Sequence, residues 1–64
     1  MANKFLEFVD KRGQKSAVQM RLIELITEHT DAENVNIRSK IFLKDRSVYL
    51  SQSSIDVLIG RLNS

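Results

Sequence analysis

Apolar positions change their spacing along this 64-residue chain, and each change marks an element boundary. Near the N-terminus Phe5, Leu6, Phe8 and Val9 fall at i, i+1, i+3 and i+4, the spacing of one helical face, and predict a short helix over 3–11. Asn3 supplies an N-cap, and Gly13 follows where a left-handed residue ends a helix. Ser16 and Gln19 then stand at capping-box spacing. Behind them Val18, Leu22, Leu25 and Ile26 form a stripe at i, i+4, i+7 and i+8, widened by Met20 and Ile23. They predict a second helix from Ser16 to about His29.

Beyond Thr30 the period falls to two. Val35, Ile37, Ser39, Ile41 and Leu43 alternate with Asn36, Arg38, Lys40, Phe42 and Lys44, the pattern of a strand rich in β-branched residues. Val48-Tyr49-Leu50 is a second strand, reached through a reversal at Asp45-Arg46. A two-residue loop there sets Leu43 opposite Val48, Phe42 opposite Tyr49 and Ile41 opposite Leu50, so that Phe42 and Tyr49 share a face. Asp-Arg is not the Asn-Gly type that favours such a turn, which makes a four-residue loop the alternative. Thr30 and Glu33 also fit a capping box. A helix beginning at residue 31 would, however, scatter Val35, Ile37 and Ile41 around its surface. Ser53 caps a terminal helix with Asp56 at its third position, and Ile55, Leu58, Ile59 and Leu62 line one side. Gly60 inside that helix costs about 1 kcal/mol relative to Ala. The expected fold is a single α+β domain over residues 1–64, in the order helix-helix-strand-strand-helix, with a β-hairpin packed on the helices.

Composition narrows the chemistry. The chain has no Cys, Pro or Trp, so it carries neither a disulfide framework nor a thiolate metal site. No apolar run exceeds the length of Ile41-Phe42-Leu43, too short for a membrane span or a signal-peptide core, and a cytoplasmic protein is expected. A chain of this size buries only about 60% of its unfolded surface. With no staple to add stability, a homodimer is the expected source of further buried area.

Catalysis requires convergent reactive groups. His29 is the single histidine, expected at a helix C-terminus, and no nucleophile motif accompanies it. Glu28, His29, Asp31 and Glu33 do not follow a metal-ligand spacing, and two glycines build no phosphate loop. The expectation is a protein that is not an enzyme, with no cofactor, metal or small-molecule substrate.

Charge is more informative. The net value is only +2, but the signs are segregated. Cations dominate residues 1–21 and 35–50, whereas residues 22–34 carry Glu24, Glu28, Asp31 and Glu33 with no Lys or Arg. Alternation puts Arg38, Lys40, Phe42 and Lys44 on one strand face, with Arg46 in the turn and Tyr49 paired beside Phe42. Cations around an aromatic pair suit nucleic acid, neutralising phosphates while the rings stack on bases. Lys11, Arg12 and Lys15 offer a second phosphate contact. A plainer reading of the same residues is that the cations protect an edge hairpin while Phe42 and Tyr49 pack in the core or a dimer interface. The functional expectation is a small regulator that binds DNA or RNA through this basic, aromatic hairpin. The alternative is a protein–protein module, an inhibitor, adaptor or antagonist. It would dock through exposed aromatics and an acidic helix stripe of Glu24, Glu28 and Asp31 at i, i+4 and i+7.

Ile41 to Leu62, about a third of the chain, resembles the wing region of small winged-helix or excisionase-type proteins. Val48 to Leu62 resembles the strand and helix that open a ribbon-helix-helix repressor, although the chain ends before a second helix. Neither resemblance carries a family residue onto this chain.

Overall fold

The computed structural model describes residues 4–63. Five strands precede one helix: β1 (Phe5–Val9), β2 (Lys15–Gln19), a 3-10 turn (Met20–Leu22), β3 (Ile23–Glu28), β4 (Ser39–Leu43), β5 (Val48–Ser51) and α1 (Ile55–Leu62). β1 and β2 form an antiparallel hairpin, and β3, β4 and β5 form a second antiparallel sheet in that order. Both expected N-terminal helices are absent, which overturns the helix-helix-strand-strand-helix order. Among the described residues no helix is long and apolar enough to cross a membrane.

The first expected helix is a strand: within Phe5–Val9 only Leu6 and Phe8 share the inward face at period two, and Phe5 and Val9 fall on the other face. Leu6 and Phe8 are buried while Phe5 is 51% exposed and Glu7 faces solvent. Asn3, its expected cap, lies outside the described residues. The second expected helix is two strands joined by one 3-10 turn. Its apparent stripe mixes buried Val18 and half-buried Ile26 with exposed Leu22 and Leu25. The turn shifts the phase of the alternation, and two short period-two segments out of phase imitate a helical period. A bulge between Ile23 and Leu25, with Glu24 as the extra residue, adds a second phase shift.

Residues 31–38 form a loop, neither helix nor the start of a strand. Asn34 accepts the Ile37 N–H through its backbone oxygen at 3.1 Å and the Asn36 N–H through its side chain at 3.1 Å. The terminal helix starts at Ile55, with Ser54 as its cap; the Ser54 hydroxyl accepts the Val57 N–H. Ser53, expected in that role, instead accepts the Val9 N–H at 3.2 Å.

Leu6, Phe8, Val18, Ile41, Leu43 and Leu58 form the core, drawn from both sheets and from α1. The helix packs across β1 and β3, and Arg61 Nη1 donates to the Glu7 backbone oxygen at 2.7 Å. The sheets join at an Asp10–Ser51 bridge, beside which the Gln52 N–H donates to the Val9 oxygen at 2.7 Å.

The two hairpin turns are built alike. The Gly13 N–H donates to the Asp10 oxygen and the Asp10 N–H to the Gln14 oxygen. Likewise the Arg46 N–H donates to the Leu43 oxygen and the Leu43 N–H to the Ser47 oxygen. Each loop therefore has three residues, with the third in the left-handed region: Gly13 at φ 83° and Arg46 at φ 74°. The Lys44-Asp45-Arg46 loop is neither the two-residue nor the four-residue form. It shifts β5 by one residue, pairing Phe42 with Val48 and Ile41 with Tyr49. Because side chains alternate, that shift moves Tyr49 to the face opposite Phe42.

A Cβ at Gly13 would meet Gln52 Nε2 no closer than 3.9 Å, so the cost of a side chain there is conformational. Gly13→Ala is expected to lower stability by about 1–2 kcal/mol, whereas Arg46→Gly is neutral or stabilising by up to about 1 kcal/mol. Ser39 is fully buried and donates to the Ser53 backbone oxygen at 2.7 Å. Ser39→Ala is expected to cost about 1–2 kcal/mol, read like the others by denaturant unfolding.

Candidate nucleic-acid interface

The aromatic pair expected on the hairpin does not form. Phe42 is half-buried on the outer face of the three-stranded sheet, with Lys40 Nζ 5.4 Å from its ring centroid. Tyr49 faces the other way. Its ring centroid lies 6.0 Å from that of buried Phe8, at an interplanar angle of 37°.

What the fold brings together instead is Tyr49 and the first turn. The Asp10–Ser51 bridge carries the β1–β2 turn against β5, opening a cleft of about 320 Å³ lined by Asp10, Lys11, Arg12, Val48, Tyr49 and Leu50. Lys11 and Arg12 are exposed at its rim, and Tyr49 keeps 44% of its surface open. Cross-strand pairing extends this surface, since Leu50 lies opposite Lys40 and Val48 opposite Phe42. Lys44 and Arg46 stand exposed at the tip of the same hairpin.

Other expected site residues lie elsewhere. Lys15 is exposed at the start of β2, opposite Val9. Arg38 lines a separate cleft of about 330 Å³ that also has Glu28, His29 and Asp56 among its walls. His29 follows β3 and donates its backbone N–H to the Arg38 oxygen, a position unlike the helix terminus expected for it. The acidic stripe has no helix to sit on. Glu24 is in the β3 bulge, Glu28 at the end of β3, and Asp31 in the loop, where its carboxylate accepts the Glu33 N–H at 2.9 Å.

Two residues that shape the cleft carried no weight in the sequence. Asp10 Oδ1 accepts the backbone N–H of Arg12 at 2.9 Å and of Gln14 at 3.0 Å, and Oδ2 accepts the Ser16 hydroxyl at 3.0 Å. The Gln14 N–H leads in holding this carboxyl below its ordinary value, helped by Ser16 and Arg12, against partial desolvation. Gln52 Nε2 donates to the Lys11 backbone oxygen at 3.3 Å, tying the turn to the residue after β5. The local signal for Asp10 was Asp-Lys-Arg-Gly: an aspartate opening a type I turn with glycine three residues later. Asp45 is used in the same way. The Ser47 N–H donates to its Oδ1 at 2.8 Å and lowers its carboxyl pKa. Both acids thus serve the turn backbone, and cations flank them.

No family model matches this chain, and no curated protein or solved structure is significantly similar to it.

Because the Asp10 pKa is depressed on folding, its contribution is fully present above the ordinary value of 3.8 and is lost as pH falls through the lower folded value. Between pH 5 and 8 amide exchange at Arg12 and Gln14 should show no titration of the turn, which opens only in acid. Asp10→Ala should accelerate exchange at both amides at neutral pH. Asp10→Asn, which keeps Oδ1 as acceptor, should largely preserve their protection.

Proposed function

We propose that this protein is a small non-enzymatic nucleic-acid-binding module, acting as a regulator, whose contact surface runs from the β1–β2 turn across β5 to the outer face of β4. The observation that carries this reading is the cleft in which Lys11 and Arg12 meet the half-exposed ring of Tyr49. Lys40, Lys44 and Arg46 extend the cationic surface from the neighbouring hairpin. Lysine and arginine neutralise phosphates and release condensed counterions, while aromatic rings offer a surface to bases. The acids of residues 22–34 lie in β3 and the loop that follows it, away from the residues lining this cleft. This placement favours nucleic acid over docking through an acidic helix, for which the fold provides no helix.

Fluorescence anisotropy of labelled oligonucleotides, titrated across salt concentrations, tests the reading. Affinity should fall steeply with salt. The Lys11→Ala/Arg12→Ala double variant should weaken binding and flatten the log–log salt slope by roughly 1.4–1.8, for two lost phosphate contacts. Arg38→Ala, in its separate cleft, should leave the slope unchanged. Absence of binding at low salt, or a larger loss at Arg38 than at Lys11 and Arg12, would sink the assignment.

A homodimer is proposed on the ground of chain size, and one surface favours it. Leu25, Phe42 and Val48 form a row across the three strands of the outer sheet face, with Leu25 51% and Val48 43% exposed. Sedimentation equilibrium should show a dimer that Leu25→Asp converts to monomer. A wild-type monomer throughout the concentration range would remove the dimer without touching the cleft.

A further inference from the structure

Tyr49 combines two properties that rarely occur in one residue. It belongs to the core-facing side of β5, opposite buried Ile41, and its ring is braced by Phe8, which is 2% exposed. It nevertheless keeps 44% of its surface open. The reason is topological. β5 is an edge of its sheet, and the end of β1 is joined to it by the isolated Asp10–Ser51 bridge and not by a continuous ladder. The first turn therefore stands beside Tyr49 instead of closing over it.

A ring fixed from behind and open in front has little rotamer freedom left to lose when something flat settles on it. Val48 and Leu50, its neighbours along the strand, complete the lining from the edge of β5. The rim is also held: the Lys11-Arg12-Gly13 loop is tied by Asp10 from within and by Gln52, the residue after β5, so both cations project from an anchored backbone. Asp10 is the one anion lining the cleft, and its two oxygens already accept three hydrogen bonds.

We infer that this cleft binds single-stranded nucleic acid, seating one unstacked base against Tyr49 with the adjoining phosphates on Lys11 and Arg12. The inference rests on the nucleic-acid reading above and specifies its ligand. In a duplex the base faces are stacked on one another and cannot reach a ring set inside a concave cleft. A strand whose bases are free can place one there. α1 does not supply a recognition helix for groove reading. The helix has eight residues, and its one cation, Arg61, is bound to the Glu7 backbone. Asp10, the one acid in the lining, is already occupied by the turn, and a stacking ring accepts any base, so the site is tolerant of sequence and selective for strandedness.

The test compares three labelled ligands of about twelve nucleotides, within the span covered by one small binding fold: oligothymidine or oligouridine, a strand of equal length carrying abasic spacers, and a duplex. The abasic strand retains the phosphates and lacks the bases. Wild-type protein should bind the base-bearing strands more tightly than the abasic strand or the duplex, by roughly 5- to 100-fold if one base is stacked. Tyr49 is the single tyrosine and the chain has no tryptophan, so quenching of its fluorescence by oligothymidine but not by the abasic strand reports stacking directly. Tyr49→Leu should remove the preference for bases while leaving abasic binding intact, and Tyr49→Phe should restore it. A cooperative denaturant-unfolding transition for Tyr49→Leu shows that this variant still folds.

Equal affinity for abasic and base-bearing strands overturns the single-strand inference and leaves the nucleic-acid reading standing. Tighter binding to duplex, or an unchanged preference in Tyr49→Leu, has the same consequence. If none of the three ligands binds at low salt, both readings fall.

Discussion

A knot of buried serine hydroxyls holds the two halves of this molecule together. Ser39 and Ser51 face each other across β4 and β5, both with no exposed surface. Their hydroxyls donate to the Ser53 backbone oxygen at 2.7 Å and 3.3 Å, and Ser51 Oγ accepts the Ser53 N–H at 3.0 Å. Ser53 Oγ in turn accepts the N–H of Val9 in β1. Four polar side-chain and backbone contacts thus bind the end of the hairpin, the second sheet and the approach to the helix. A buried polar group left without a partner costs more than an exposed one, so this network admits few alternative arrangements. No buried side-chain polar atom among the described residues lacks a partner.

The same junction creates the cleft. With β1 fixed to β5 at Asp10 and Ser51, the turn beginning at Asp10 must project along the edge of β5, beside Tyr49. Phe8, two residues earlier on β1, is thereby placed against the tyrosine ring from the core side. Structural and functional demands meet in one strand: its buried residues support the ring, and the turn that follows supplies the cations. Asp10 belongs to both parts, since its backbone forms the bridge and its carboxylate shapes the turn.

The basic surface is assembled differently from the way the strand alternation suggested. Lys40 and Phe42 share the outer face as their spacing requires, and Lys40 lies over the ring. Tyr49 left that group because a single left-handed residue, Arg46, makes the loop three residues long instead of two. A shift of one residue leaves the strands in place and exchanges every side chain between faces. The cations at positions 11 and 12 became neighbours of Tyr49 through contacts between residues far apart in sequence, such as that of Gln52 with Lys11, 41 residues away.

The sequence by itself located the elements of the last third of the chain: a strand reaching Leu43, a second at Val48–Leu50 and a terminal helix. The first strand, however, begins at Ser39 and not Val35, the cap is Ser54 and not Ser53, and Ile59, expected on the inward side with Leu58, is 43% exposed. These segments have one clear period each, and a polar cap marks the helix start. It also determined which residues carry charge and that both turns are basic. The first half was decided by tertiary structure. Within Phe5 to Val9 only Leu6 and Phe8 share the inward face, and Val18 to Ile26 acquires a helical appearance because a 3-10 turn and a bulge interrupt two short strands. Local spacing cannot separate these cases; pairing with a partner strand and burial against Ile41, Leu43 and Leu58 can. Strand register, and with it the face on which Tyr49 emerges, was set by the backbone conformation of one turn residue. The cleft exists because two distant segments share a bridge, and no window of sequence contains both.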